Sequence, residues 1–466
     1  MHRMAIDPST SRAERYAQGR ALRTRCPRSS HATWQPRGES FDALKLIEQS
    51  NAGRIPGLVA VRYHRMSQSP FAFFRGCAVV QARDLATTPV IGVVLQLCGD
   101  CHILNFGGFA TPERNLIFDI NDFDETFPGP WEWDLKRLTA SVVLAARDRG
   151  FPKAVARDAA LGAVASYREK MDAYAQLSTL DVWYVRISFA DLADFFKRNA
   201  ETLGGPLPTA ERYARDRTSE TVFPKLARVE NGRPTIVDDP PLIYHFHEHI
   251  EEAEALIREF FKRYRRSLAS DRKRLFDRYV LQDIAIKVVG VGSVGTRCMV
   301  ALFTSDSTDP LFLQAKEARR SALESPDARK SRFAHQGERV VSGQRLMQAA
   351  SDIFLGWAEI PTASDYYVRQ LRDMKTSVHI ERFRASTLID YATVCGWALA
   401  RAHAKAGDAA TIAGYIGGGD RFDRAIAKYA AAYADQVERD FEEFQAAIRA
   451  GRISVDVSDR PLDFLP

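Results

Sequence analysis

The chain has 466 residues, a formal net charge of +6, 45% hydrophobic and 27% charged residues, which suffices for two or three packed units and excludes a fibrous or disordered protein. So small a positive excess lacks the dense basic face of a nucleic-acid binder and favours anionic small molecules or a mildly acidic partner. Six cysteines (26, 77, 98, 101, 298, 395), scattered apart from Cys98 and Cys101, argue against a disulfide framework, and the longest central apolar run, Val90 to Cys98, is too short to cross a bilayer; a cytoplasmic protein without membrane contact is expected.

Residues 1–50 read as a basic tail and a short helix. Eight arginines in the first 38 residues stand against Asp7 and Glu14 with no apolar stretch behind them, so a frayed surface tail is expected rather than a targeting segment. A helix over Phe41 to Gln49 ends in the turn-forming run Asn51 to Gly57, and 58–66 reads as a strand or extended entry. Ser69-Pro70 supplies an N-cap and first helical position for a helix from Phe71 to Leu85. In that helix Arg75 is suited to a phosphate or to an ordinary ion pair. Val90 to Leu97 reads as a buried strand that delivers Cys98 to Asn105 as a loop. Leu116 to Phe123 is a second strand, whose carboxylates Asp119, Asp122 and Asp124 are costly to bury unless a cation or water compensates them.

Pro128-Gly129-Pro130 breaks the chain before a helix over Trp131 to Arg147. Residues 151–200 read as helical and 201–240 as a polar connection. His245, His247 and His249 alternate as a zinc triad on a strand would. They precede an expected long charged helix, Glu248 to Tyr279, where His247 would turn away from the other two, so a capping or surface role is preferred. Ile284 to Val289, Thr296 to Phe303 and Leu311 to Ala315 then read as strands. Between the first two lies the G-x-G-x-x-G turn Gly290 to Gly295, and the third ends at Lys316. A strand after the turn disfavours a dinucleotide-binding βαβ unit and favours a hairpin over phosphates, with Gly290, Gly292, Ser293 and Gly295 in the cradle. A helix over Gln336 to Leu355, a strand over Tyr366 to Leu371, a polar hinge at 372–375 and helices over Ile389 to Lys405 and Phe422 to Arg449 complete the chain.

Two chemistries compete for the loop after the first strand. Cys98-Gly99-Asp100-Cys101-His102 has the C-x-x-C-H spacing of a haem attachment site, which goes with export and is disfavoured without an export segment. Alternatively, Asp100 is a catalytic base and Asn105 a magnesium ligand. Gly99-Asp100-Cys101-His102-Ile103-Leu104-Asn105 is similar to the G-D-x-H-x-x-N catalytic loop of aminoglycoside-phosphotransferase-like and choline-kinase-like enzymes. Asn121-Asp122-Phe123-Asp124-Glu125 resembles their metal-binding strand end, and Gly129-Pro130-Trp131-Glu132-Trp133-Asp134-Leu135 the segment that follows. The whole chain, Ser69 to Gly76 included, also resembles a bacterial family known only as a conserved domain of unknown function.

The first resemblance implies an α+β, protein-kinase-like bilobal fold that uses ATP and magnesium (Mg2+). Asp100 would be the base, with His102 beside it; Asn105 and Asp122 would hold metal, with Asp119 and Asp124 as alternatives. Lys316 would meet the phosphates, paired with Glu324 or Glu338. Asp134 would brace the loop. Because Asp100 precedes Gly290, the order of the lobes is reversed and the fold would be circularly permuted: residues 51–280 a catalytic-loop lobe, 281–380 a nucleotide-binding β lobe, and 381–466 helices returning to the first. The expected function is phosphoryl transfer to a hydroxyl or amino group of an unknown small-molecule or protein acceptor. The alternatives are a non-catalytic nucleotide-binding scaffold and nucleotidyl transfer.

Overall fold

The computed structural model of the chain describes residues 9–38, 40–198 and 223–456, apart from 225, 231, 241, 246–249, 289–291, 293, 307–308, 325–330, 361–363, 372–373 and 375–377. In chain order the elements are α1 (Arg12–Arg25), α2 (Ala43–Gln49), α3 (Pro56–Met66), α4 (Pro70–Gly76), α5 (Ala78–Leu85), β1 (Val94–Leu97), β2 (Phe106–Ala110), β3 (Leu116–Ile120) and β4 (Phe127–Pro130). They continue with α6 (Glu132–Asp148), α7 (Lys153–Ala175), α8 (Thr179–Tyr184), α9 (Phe189–Arg198), β5 (Ala227–Glu230), β6 (Arg233–Ile236), β7 (Ile243–Tyr244), α10 (Ile250–Ser267) and α11 (Ser270–Phe276). The last are β8 (Val280–Lys287), β9 (Cys298–Thr304), β10 (Pro310–Ala318), α12 (Gln336–Met347), β11 (Gly356–Ile360), β12 (Ser364–Gln370), α13 (Ala385–Ala406), α14 (Ala409–Ile416) and α15 (Arg421–Arg449). The architecture is mixed α and β, and none of the described helices is long and apolar enough to cross a membrane.

Several boundaries differ from expectation for identifiable reasons. Residues 58–66 are helical, not extended: Pro56 takes the first helical position, and Leu58, Arg62, Tyr63 and Met66 are buried at helical spacing in spite of the β-branched Val59 and Val61. Ser69 does cap the next helix, its hydroxyl accepting from Ala72 N–H, but the helix breaks at Cys77 into α4 and α5. The expected helix from 248 to 279 divides around Leu268-Ala269, and the one from 336 stops at Met347. Strand β11 and helix α14 were not foreseen. Residues 201–222 of the polar connection, His247, His249, Gly290, Ser293 and most of the hinge at 372–375 lie outside the described residues.

The basic N-terminal segment is not a frayed tail. Ser11 and Glu14 form a capping box at the start of α1, and α1 crosses α14 so closely that a methyl group on Gly19 or Gly414 would run into the carbonyl of Thr411 or Tyr16. Arg23 donates to the carbonyls of Gly414 and Tyr415, and Arg28 to that of Ile416. These arginines satisfy the last carbonyls of α14 and complement the negative end of its dipole.

One apolar core joins the helices before residue 193 to α13, α14 and α15. Helix α7 meets α13 at Gly396, where any side chain would strike the Ala163 carbonyl. The main sheet is antiparallel, in the order β11-β12-β10-β9-β8-β7. Alternation along β10 decides what each face does: Leu311, Leu313 and Ala315 pack on the aromatic side of α10 with Phe260 and Tyr264, so Phe312, Gln314 and Lys316 face the other way. Lys316 sits between Cys298 of β9 and Tyr367 of β12.

Candidate functional site

Strand β1 runs into Gly99, whose φ of +90° and close approach to the Glu125 carbonyl exclude a side chain. Asp134, in the first turn of α6, accepts from Cys98 N–H at 2.8 Å and Gly99 N–H at 3.0 Å, and His403 Nε2 lies 3.3 Å from the same carboxylate. The turn is thus fixed by a buried side chain from the next helix. Asp100 follows, its Oδ1 bound by Arg137 Nε at 2.6 Å and Nη2 at 2.5 Å. Arg137 is itself held by Gln81 Oε1 and the Phe74 carbonyl. Asn105 Nδ2 donates to the Asp100 carbonyl at 2.7 Å, which turns the amide so that its oxygen is the end left for a cation.

His102 is buried, with Nε2 3.9 Å from Asp100 Oδ2 and, among the described residues, no hydrogen-bond partner for Nδ1. Burial takes its pKa down to about 3 against the attraction of Asp100, so the ring is neutral and braces the loop rather than carrying charge.

The three carboxylates of the following strand separate into distinct roles. Asp119, expected as an alternative metal ligand, does not line the cavity: it is wholly buried, bound by Arg401 Nη2 at 2.6 Å and by the N–H groups of Ile120 and Ala349. Asp124 accepts Lys316 Nζ at 2.6 Å and the Tyr367 hydroxyl at 2.5 Å. Lys316 therefore pairs with neither Glu324, which binds Arg320 and Ser331 N–H, nor Glu338, which lies in the first turn of α12. Burial opposes ionisation of Asp124, but the Lys316 ammonium outweighs it and holds the carboxyl below its ordinary range. Asp122 moves the other way: burial and the neighbouring Asp124 raise its pKa, so of the three it is the carboxylate that a cation would relieve most.

These groups line a cavity of about 790 Å³ between the Asp100 loop, the Asp122–Glu125 turn, helices α3 to α5 and strands β8, β10 and β12. The glycine-rich turn borders it through Gly292. Arg54 clamps that turn from outside, donating to the carbonyls of Val294 and Gly292, while Ile55 N–H binds the Gly295 carbonyl at 2.9 Å. Gly295 has φ +87° and packs on the Arg54 side chain. Burial, with Arg62 and Arg319 nearby, brings the Arg54 pKa down to about 8. This is a positively charged pocket that protein carboxylates do not fully neutralise.

Of the expected residues, Asp100, His102, Asn105, Asp122, Asp124, Lys316 and Gly292 border one cavity and Asp119 does not. Sequence reasoning missed Arg137, Arg369 and Tyr367. Arg137 falls one helical turn after Asp134, and Tyr367 and Arg369 share a strand face, so spacing alone could have flagged them. Arg369 lines the cavity and donates to the Asn121 carbonyl at 3.2 Å.

The other sequence candidates sit elsewhere. His245 is held between Asp238 and Asp283, whose hydrogen bonds raise its pKa to about 9. Cys98 and Cys101 are buried under the loop within 4.8 Å of the Asp134 carboxylate, and burial pushes the Cys101 thiol up to about 11. Those thiols stay protonated, and Asp134 is already engaged by the loop's backbone.

Compared with known proteins, residues 54–447 match a family described as "Uncharacterized protein conserved in bacteria" (DUF2252). No curated protein and no solved structure matches the chain.

Proposed function

The chain belongs to this uncharacterised bacterial family, and from the residues of the cavity we propose that it is an ATP- and magnesium-dependent phosphotransferase of kinase-like, circularly permuted architecture. The observation that carries the reading is the Lys316–Asp124 ion pair of 2.6 Å. It joins a lysine of the sheet to the carboxylate strand end across 192 residues of chain, beside the cavity that the Asp100 loop also lines. The donor set suits magnesium: the Asn105 amide oxygen and the Asp122 carboxylate are hard ligands, and Asp122 is strained by burial beside Asp124. When bound, magnesium neutralises charge on the transferring phosphates.

Each residue then has a definite task. Lys316 and Arg369 hold phosphate oxygens, with Gly292 on the same cavity wall. Asp100, oriented by Arg137, positions the acceptor hydroxyl. As the acceptor oxygen bonds to the γ-phosphorus, the bond from that phosphorus to the bridging oxygen breaks, ADP leaves with its electron pair, and the hydroxyl proton passes to Asp100.

A second reading, a nucleotide-binding protein without turnover, is favoured by the Arg137–Asp100 pair, since the guanidinium already occupies Asp100 Oδ1 through two nitrogens. Calorimetric titration with ATP, with and without magnesium, tests both. Absence of binding at millimolar ATP would refute both. Release of ADP, of pyrophosphate or of neither separates phosphoryl transfer, nucleotidyl transfer and mere binding.

A further inference from the structure

The cavity carries more positive charge than the proposed nucleotide site uses. Among the described residues lining it, ten arginines and lysines face six aspartates and glutamates, and Asp124 is already committed to Lys316. The excess is not spread evenly. Lys316 and Arg369 come from the sheet, whereas Arg65, Arg75 and Arg83 come from α3, α4 and α5, on the wall that supports Asp100 through Arg137 and the Phe74 carbonyl.

Arg75 is the informative member. Its guanidinium stands 5.8 Å from the Phe71 ring centroid, and its Nε is buried with no hydrogen-bond partner among the described residues. Burial lowers its pKa and Asp100 is the charge that counters this, yet Asp100 already belongs to Arg137. Next to it, His102 keeps Nδ1 buried and, among the described residues, unpartnered. A half-buried guanidinium whose buried Nε finds no acceptor among the described residues is costly unless a ligand oxygen completes it. The ligand chemistry that matches its planar fork is an oxyanion, phosphate or carboxylate.

We propose that the acceptor is itself an anion: a hydroxyl compound carrying a phosphate or carboxylate group, which Arg75 holds beside Asp100 with Arg83 nearer the cavity mouth. This rests on the phosphotransferase reading and deepens it by naming the acceptor class. A cationic acceptor would meet the same arginines and be repelled.

The test uses full-length protein saturated with magnesium and the non-hydrolysable β,γ-imido analogue of ATP. Calorimetry then compares 3-phosphoglycerate, glycerol and kanamycin as anionic, neutral and cationic hydroxyl probes. The expected result is that the anion binds at least about tenfold tighter than the other two. Arg75→Gln should remove about tenfold or more of that affinity while leaving the nucleotide analogue's affinity unchanged, and Arg75→Lys should recover part of it. Melting temperatures of both variants show that they are folded. If the loaded protein prefers the neutral or cationic probe, or binds none, the anionic-acceptor proposal is overturned and the phosphotransferase reading stands. Equal loss of analogue and anion in Arg75→Gln would assign Arg75 to the nucleotide's own phosphates and overturn it too. Failure of the wild type to bind the analogue at all refutes the underlying reading, and the proposal falls with it.

Discussion

Replacing Asp119 by asparagine separates anchoring from metal binding among three carboxylates that lie within six residues of each other. Asp119 and Arg401 are 0% and 1% exposed and meet at 2.6 Å. Among the described residues, Arg401 Nε and Nη1 have no other acceptor, so removing the carboxylate charge leaves a cation stranded in the core. The attraction is then lost while the desolvation cost stays, which for a broken buried pair amounts to about 3–5 kcal/mol. The amide oxygen can still accept one of the two backbone N–H groups, so the lower half of that range is expected. Urea unfolding followed by circular dichroism measures the loss, and calorimetry at a temperature where the variant is folded measures magnesium-dependent ATP binding. Asp119→Asn should be much less stable yet bind magnesium and ATP as the wild type does. Wild-type stability to within about 1 kcal/mol, or selective loss of the magnesium dependence, would refute the assignment of Asp119 to the core.

Asp100→Asn should keep ATP affinity and cut turnover by about 10²-fold or more, whereas Asp122→Asn should weaken magnesium-dependent binding and turnover together; parallel loss of stability in both variants would mark them as structural. Gly99→Ala should displace the loop, because the added methyl meets the Glu125 carbonyl at a φ of +90°; it should lower stability by about 1–3 kcal/mol and abolish turnover, and wild-type behaviour would contradict that geometry. The purified protein should show no Soret band, and Cys101→Ala should remain folded. For pH, burial holds both His31 and His102 near a pKa of about 3. Below about 6.5 the unfolded chain therefore takes up protons that the folded chain refuses. Their stabilising contribution is complete above pH 6.5 and is lost as the pH falls towards 3. Urea unfolding of His102→Gln between pH 7.5 and 4 should give a flatter acid limb than wild type, by up to about 1.4 kcal/mol per pH unit; identical limbs would show that His102 is not held neutral.

Legibility in the sequence depended on the range of the interaction. The Ser69-Pro70 cap and the Asp100–Asn105 loop were readable because their partners lie within a few residues. Which strand carboxylate faces the cavity was not, because Asp119 is claimed by Arg401, 282 residues away, and no local pattern announces such a partner. The lysine on the sheet was visible as the polar end of an apolar strand. Its acidic partner was sought nearby, among Glu324 and Glu338, while Asp124 reaches it from the other side of the cavity. The arginines of α1 read as a solvated tail because their acceptors, the last carbonyls of α14, belong to a helix that short-range chemistry does not reveal.

The crossing of α1 over α14 also dictates an order of assembly. Arg23 finds its acceptor on Tyr415, 392 residues further along the chain, so during synthesis α1 emerges long before the surface that fits its small-residue face exists. Such a contact closes only after the intervening chain has collapsed, which makes this closure a late and slow event of high contact order. Until then α1 is an unpartnered helix open to misassociation. A chain ending before Ala409 should consequently leave α1 undocked as well, and be recovered as aggregate instead of as a shortened but otherwise intact protein.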